Sequence, residues 1–117
     1  MIMKNPMPEP QRTFEFERLY TQRARDEVRS FVEKNRFLAP LLSEAVPHIQ
    51  KHFPTAEAFL HLEVDPEIPD YEELVVSIAT DLGPGEAVRR LLRLGDDWWF
   101  GSLRQAHGKL CITLEFR

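Results

Sequence analysis

The sequence predicts an α+β protein of two layers, with elements in the order α-α-β-β-α-β. Helices pack on one face of a three-stranded, mainly antiparallel sheet. Three observations lead there. Apolar residues recur every three or four positions up to Phe53, then every second position from Ala58 to Thr80. Helical spacing returns after the Gly83-Pro84-Gly85 turn, and strict alternation returns from Lys109 to Phe116. The length of 117 residues suits one domain with a single core.

Residues 1–12 hold three prolines in five positions (Pro6, Pro8 and Pro10) and are expected to form a flexible tail. The domain is expected to span 13–117. The spacing predicts a first helix over 13–35, on Phe16, Tyr20, Ala24, Val28, Phe31 and Val32, with Thr13 as its cap. A second helix is expected from Phe37 to Phe53. Its wide apolar face carries Leu38, Leu41, Leu42, Ala45, Val46, Ile49 and Phe53, and Pro47 should kink or divide it.

The first strand covers 58–64, with Ala58, Leu60, Leu62 and Val64 inward and Phe59, His61 and Glu63 outward. A turn-rich linker over 65–70 leads to a second strand over 73–80, whose inward residues are Leu74, Val76 and Ile78. The third helix opens at Pro84 and carries Val88, Leu91, Leu92, Trp98 or Trp99, Leu103 and Ala106; Gly95 can split it, and His107-Gly108 ends it. The last strand, 109–116, turns Leu110, Ile112, Leu114 and Phe116 inward. A right-handed crossover favours placing it beside the first strand, in the order 2-1-3.

Net charge is −4, unevenly spread. Residues 54–88 hold nine acids and no lysine or arginine. That stretch would repel a phosphate backbone, which argues against nucleic acid and suits a basic protein partner. No apolar run is long enough to span a bilayer, no signal-peptide pattern stands at the N-terminus, and the single Cys111 excludes an intrachain disulfide. These features fit the cytoplasm and no membrane.

Several stretches resemble, in the same order, a group of short bacterial proteins of unknown activity, mainly cyanobacterial. They are Phe53-Pro54-Thr55-Ala56-Glu57, Glu63-Val64-Asp65-Pro66-Glu67, Glu73-Leu74-Val75-Val76 with Thr80-Asp81-Leu82, Asp96-Asp97-Trp98-Trp99, and Gly108 to Phe116. The resemblance implies a small stand-alone bacterial domain and brings no activity, cofactor or site residue.

No run of residues makes a catalytic signature, and no cofactor or metal is expected. His48 and His52 share a helix face but lack a third ligand or a general base between them. Gly83-Pro84-Gly85 lacks the lysine and hydroxyl residue of a phosphate loop. Asp65, Asp70 and Asp81 have nothing to orient them around a cation. His61 and Cys111 on the outward sheet face are the material for a thiol nucleophile, but a mid-strand cysteine has no helix N-terminus to activate it.

The expected function is therefore contact with protein: self-association, or binding of one partner in the manner of small inhibitor, immunity or antitoxin proteins. The candidate contact residues are Trp98, Trp99, Phe100, Asp96, Asp97, Phe59 and His61. Adjacent indoles cannot share one narrow stripe. By spacing from Leu91 and Leu92, Trp98 and Trp99 both suit the core and Phe100 leaves it. The rivals are an enzyme built on His61, Cys111 and nearby carboxylates, and a small-ligand pocket beside Trp98 or Trp99.

Overall fold

The computed structural model describes residues 14–117, and the α+β class holds. A 3₁₀ turn over Glu15–Arg18 leads into a short strand β1 (Thr21–Gln22). Helices α1 (Arg25–Lys34) and α2 (Leu38–His52) follow, then strands β2 (Glu57–Val64) and β3 (Glu72–Thr80). Helix α3 (Pro84–Leu94) runs through a π-helical turn (Gly95–Trp99) into α4 (Phe100–Ala106), and β4 (Leu110–Phe116) completes the sheet. The expected tail and the Thr13 cap lie outside the described residues. No described helix is long and apolar enough to cross a membrane.

The sheet differs from the expected 2-1-3 arrangement. It has four strands in the order β1-β2-β3-β4, with β1 parallel to β2, β2 antiparallel to β3, and β3 parallel to β4. The free edge of β2 is taken by Thr21–Gln22 and by Arg23, whose amide donates to the Leu60 carbonyl at 2.8 Å. The last strand therefore takes the other side of β3. The crossover rule applies to parallel neighbours, and those are β3 and β4. As the central strand, β3 is buried on both faces from Leu74 to Thr80, which its near-continuous apolar run permits.

The helix expected over 13–35 begins only at Arg25. Ala24 sits in the left-handed region at φ 55°, which a helix cannot pass through. Phe16 and Tyr20 still reach the core, but from the 3₁₀ turn and the residues after it. The Tyr20 hydroxyl, buried, donates to the Leu42 carbonyl at 2.7 Å and pins this segment to α2. Glu17, nearly buried, gathers Arg25 at 2.8 Å and Arg29 at 3.1 Å. Pro47 is held inside a single helix.

One apolar cluster joins every layer. Val28 and Val32 of α1, Leu38, Leu42 and Ala45 of α2, Leu60, Leu74, Val76 and Ile78 of the sheet, and Ala87 and Leu94 of α3 are all fully buried in it. All the helices thus lie on one sheet face.

Candidate functional site

The third helical body does not present the residues that simple helical spacing assigns to it. In the π turn the Phe100 amide reaches back to the Gly95 carbonyl, five residues earlier, so one residue is added to that turn. Every later side chain is set back by one position. The core row then reads Ala87, Leu91, Leu94, Trp99, Ser102 and Ala106, and Trp99 is buried. Leu103, expected in the core, is 46% exposed. So are Val88 (46%) and Leu92 (54%), and Phe100 is 50% exposed. With the extra residue counted out, Val88, Leu92, Phe100 and Leu103 fall on one side of the rod. They form an apolar stripe along its outer flank.

Gly95 makes the Phe100 position possible. A methyl group at Gly95 would fall inside the Phe100 ring, so the ring lies directly over the glycine. The Ser102 hydroxyl donates to the Trp98 carbonyl at 3.1 Å, taking up a main-chain acceptor within the wide turn.

Trp98 is half-buried and its indole stacks on His48 of α2, with ring centroids 5.2 Å apart and planes at 9°. The neighbouring Asp97 gathers three groups of α2 on one oxygen, Oδ2. Lys51 Nζ lies at 3.2 Å, His52 Nε2 at 3.1 Å and His48 Nδ1 at 3.6 Å. The His52 and Lys51 contacts hold the Asp97 carboxyl below the usual aspartate range. Arg90 adds a further tie by donating to the His52 carbonyl at 3.1 Å. The cluster is a clamp between α2 and the π turn. Among the described residues no group of three or more His, Cys, Asp or Glu side chains is arranged to hold a metal ion. Asp96 points to solvent.

Phe59 and His61 belong to a different surface. They lie on the sheet face away from the helices, so the structure does not join them to Trp98, Trp99 and Phe100. Arg23 lies 4.2 Å above the Phe59 ring and spans to Glu115 of β4, with Nη1 to Oε1 at 2.7 Å and Nη2 to Oε2 at 2.9 Å. That fork, on the Arg23 side, holds the Glu115 carboxyl below its ordinary range. Arg117 also approaches Phe59, at 5.5 Å.

His61 and Cys111 occupy one cross-strand row, but Val75 stands between them, paired to both. Two strand spacings separate them by about 9.5 Å, so they make no nucleophile–base pair. Burial, then Glu73 and Glu63, push the Cys111 thiol up, away from the thiolate. The enzyme rival thus loses its central contact. Asp65 turns back to accept from the Glu67 amide at 2.9 Å, while Asp81 follows β3 at the opposite end of that strand, so the three acids do not cluster.

A groove of about 350 Å³ lies between α1 and β2, lined by Asp26, Glu27, Phe31, Lys34, Leu62 and Glu72 among others. Neither Trp98 nor Trp99 lines it.

The chain matches no protein-family model, no curated protein and no solved structure. What its surfaces can do therefore follows from their chemistry and geometry.

Residue spacing alone did not reveal the stripe, because the added residue in the π turn is invisible to a regular 3.6-residue repeat. The signal that could have found it is Gly95 followed five positions later by Phe100, in a stretch where Trp98 and Trp99 compete for one core position. The outer edge of β4 is paired by no described strand.

Proposed function

We propose that this protein is a non-catalytic contact module, acting by association with itself or with one protein partner. The observation that carries this reading is the row Val88, Leu92, Phe100 and Leu103, four large apolar side chains each about half exposed on one helical rod. Scattered apolar side chains are ordinary on a surface, but four on one flank of a single helical rod mark a docking site. Phe100 is its aromatic anchor, and Trp98 and Trp99 hold the rod in place from beneath. The acidic stretch 54–88 would favour a basic partner and disfavour nucleic acid. The comparison with small bacterial inhibitor, immunity or antitoxin proteins, and with it a cytoplasmic setting, rests on size and charge and belongs to this proposal.

The test is association of the full chain and its variants. Leu92→Glu and Phe100→Glu change exposed side chains and should leave the melting temperature within a few degrees. Both should abolish self-association in sedimentation, or capture of a partner from the native cell. Association that is indifferent to both substitutions, or none at all, overturns the proposal. Trp99→Ala is a poor substitute, because emptying a buried tryptophan site costs about 3–5 kcal/mol and would confuse unfolding with lost contact.

A further inference from the structure

From that contact reading, on which this step rests, we infer that the partner is a second copy of the chain. Its β4 strand pairs antiparallel with β4 of the first copy about a two-fold axis at Ile112.

Leu74 donates its amide to the Lys109 carbonyl at 2.8 Å, and Arg117 donates to the Thr80 carbonyl at 3.0 Å. In a parallel ladder alternate residues face the neighbour, so the odd-numbered residues 109–117 face β3. Leu110, Ile112, Leu114 and Phe116 present their amides and carbonyls to the open edge. An antiparallel partner must then set even-numbered residues opposite even-numbered ones. A shift of one residue is excluded.

The sequence selects among the registers that remain. Lys109-Leu110-Cys111-Ile112-Thr113-Leu114-Glu115 is nearly its own mirror image about Ile112. With Ile112 on the axis, each Lys109 faces Glu115 of the other copy, Leu110 faces Leu114, and Ile112 faces Ile112. Phe116 passes beyond the paired residues, because Gly108, at φ +71°, belongs to the turn that ends α4. Opposite charges and matched aliphatic pairs directly across strands each stabilise the pairing. Moving the axis to Thr113 would set Lys109 against Arg117, two like charges. Nothing in β4 blunts the edge: it carries no proline and its inward residues are all apolar. Helix α3 packs over β4, so the stripe it shares with α4 belongs to the helix layer above this strand. The two copies of the stripe would meet across the same axis, and the joined sheet would have eight strands.

Facing residues across a non-hydrogen-bonded antiparallel pair stand about 4.5 Å apart at Cα, within the range of about 4.4–6.8 Å that a disulfide accepts. Cys111 opposite Thr113 is such a pair. The full chain should sediment at twice the monomer mass at micromolar concentration. Under a mild oxidant, Thr113→Cys should become a covalent dimer on a non-reducing gel, while Thr113→Ser and the natural chain, whose Cys111 faces no thiol, should not. Leu92→Glu should return Thr113→Cys to monomer with the circular dichroism spectrum of the folded chain and a melting temperature that no longer depends on protein concentration.

A dimer in which the natural chain cross-links through Cys111 alone overturns the register, because the axis would then lie at Cys111. A strict monomer overturns the pairing altogether. Partner capture that is still lost in Leu92→Glu would in that case leave the contact reading standing.

Discussion

At the scale of single residues, a few polar contacts carry consequences that burial alone does not. Tyr20→Phe removes a buried hydrogen bond to the Leu42 carbonyl, which keeps its helical bond within α2. Denaturant titration should show a loss of about 0.5–1.5 kcal/mol, the usual net worth of one hydrogen bond. Asp97 behaves differently, because its carboxyl is held below the usual aspartate range by His52 and Lys51. A depressed carboxyl contributes stability above its unfolded value, about 3.9, and that contribution is lost as pH falls through the lower folded value. Melting of wild type and Asp97→Asn should therefore differ at pH 6 and converge in strong acid. Cys111 should react slowly with a thiol reagent at neutral pH, since burial and two nearby glutamates disfavour its thiolate. The residues of both clusters stand in plain view in the sequence. Their pairing was not legible there, because Asp97 meets His48, Lys51 and His52 only through the way α2 crosses the π turn.

At the scale of elements, the π turn sets which side chains α4 shows to the core and which to solvent. Gly95→Ala tests it. Alanine is the better helix former by about 1 kcal/mol, but its methyl group would displace the Phe100 ring. Thermal stability should change little, while association through the stripe should weaken. The strands were legible because their period of two survives burial, and Leu74 to Thr80 even carries the two-sided apolar pattern of a central strand. That pattern already argued against an edge position for the second strand. Two features left no such mark. A two-residue strand at Thr21–Gln22 has no periodicity to read. Phe16 and Tyr20, four apart, imitate a helix although Ala24 turns the chain into the left-handed region just after them. An exposed apolar side chain, moreover, looks in sequence like a buried one. Regular helical spacing accordingly assigns Val88, Leu92 and Leu103 to the core.

At the scale of the whole molecule, one cluster holds residues from all helices and from β2, β3 and β4. Unfolding should therefore be a single transition, with tryptophan fluorescence and far-ultraviolet circular dichroism giving superimposable curves in urea. Separate transitions would mean that the α1 segment and its 3₁₀ turn come away first. The bidentate Arg23–Glu115 contact bears on the same point, since it ties the residue after β1 to the strand at the opposite edge of the sheet. Exposed pairs of this kind contribute little to stability, but this one closes a span of 92 positions along the chain.

The parallel pairing of β3 with β4 also sets a schedule for synthesis. β2 and β3 can join as soon as both have left the ribosome, yet the other side of β3 needs β4, which lies beyond the whole of α3, the π turn and α4. At about 5–20 residues per second, the Leu74–Thr80 run waits on the order of seconds with a bare apolar margin. A nascent chain halted between Thr80 and Leu110 would be the form most prone to aggregate or to recruit a chaperone.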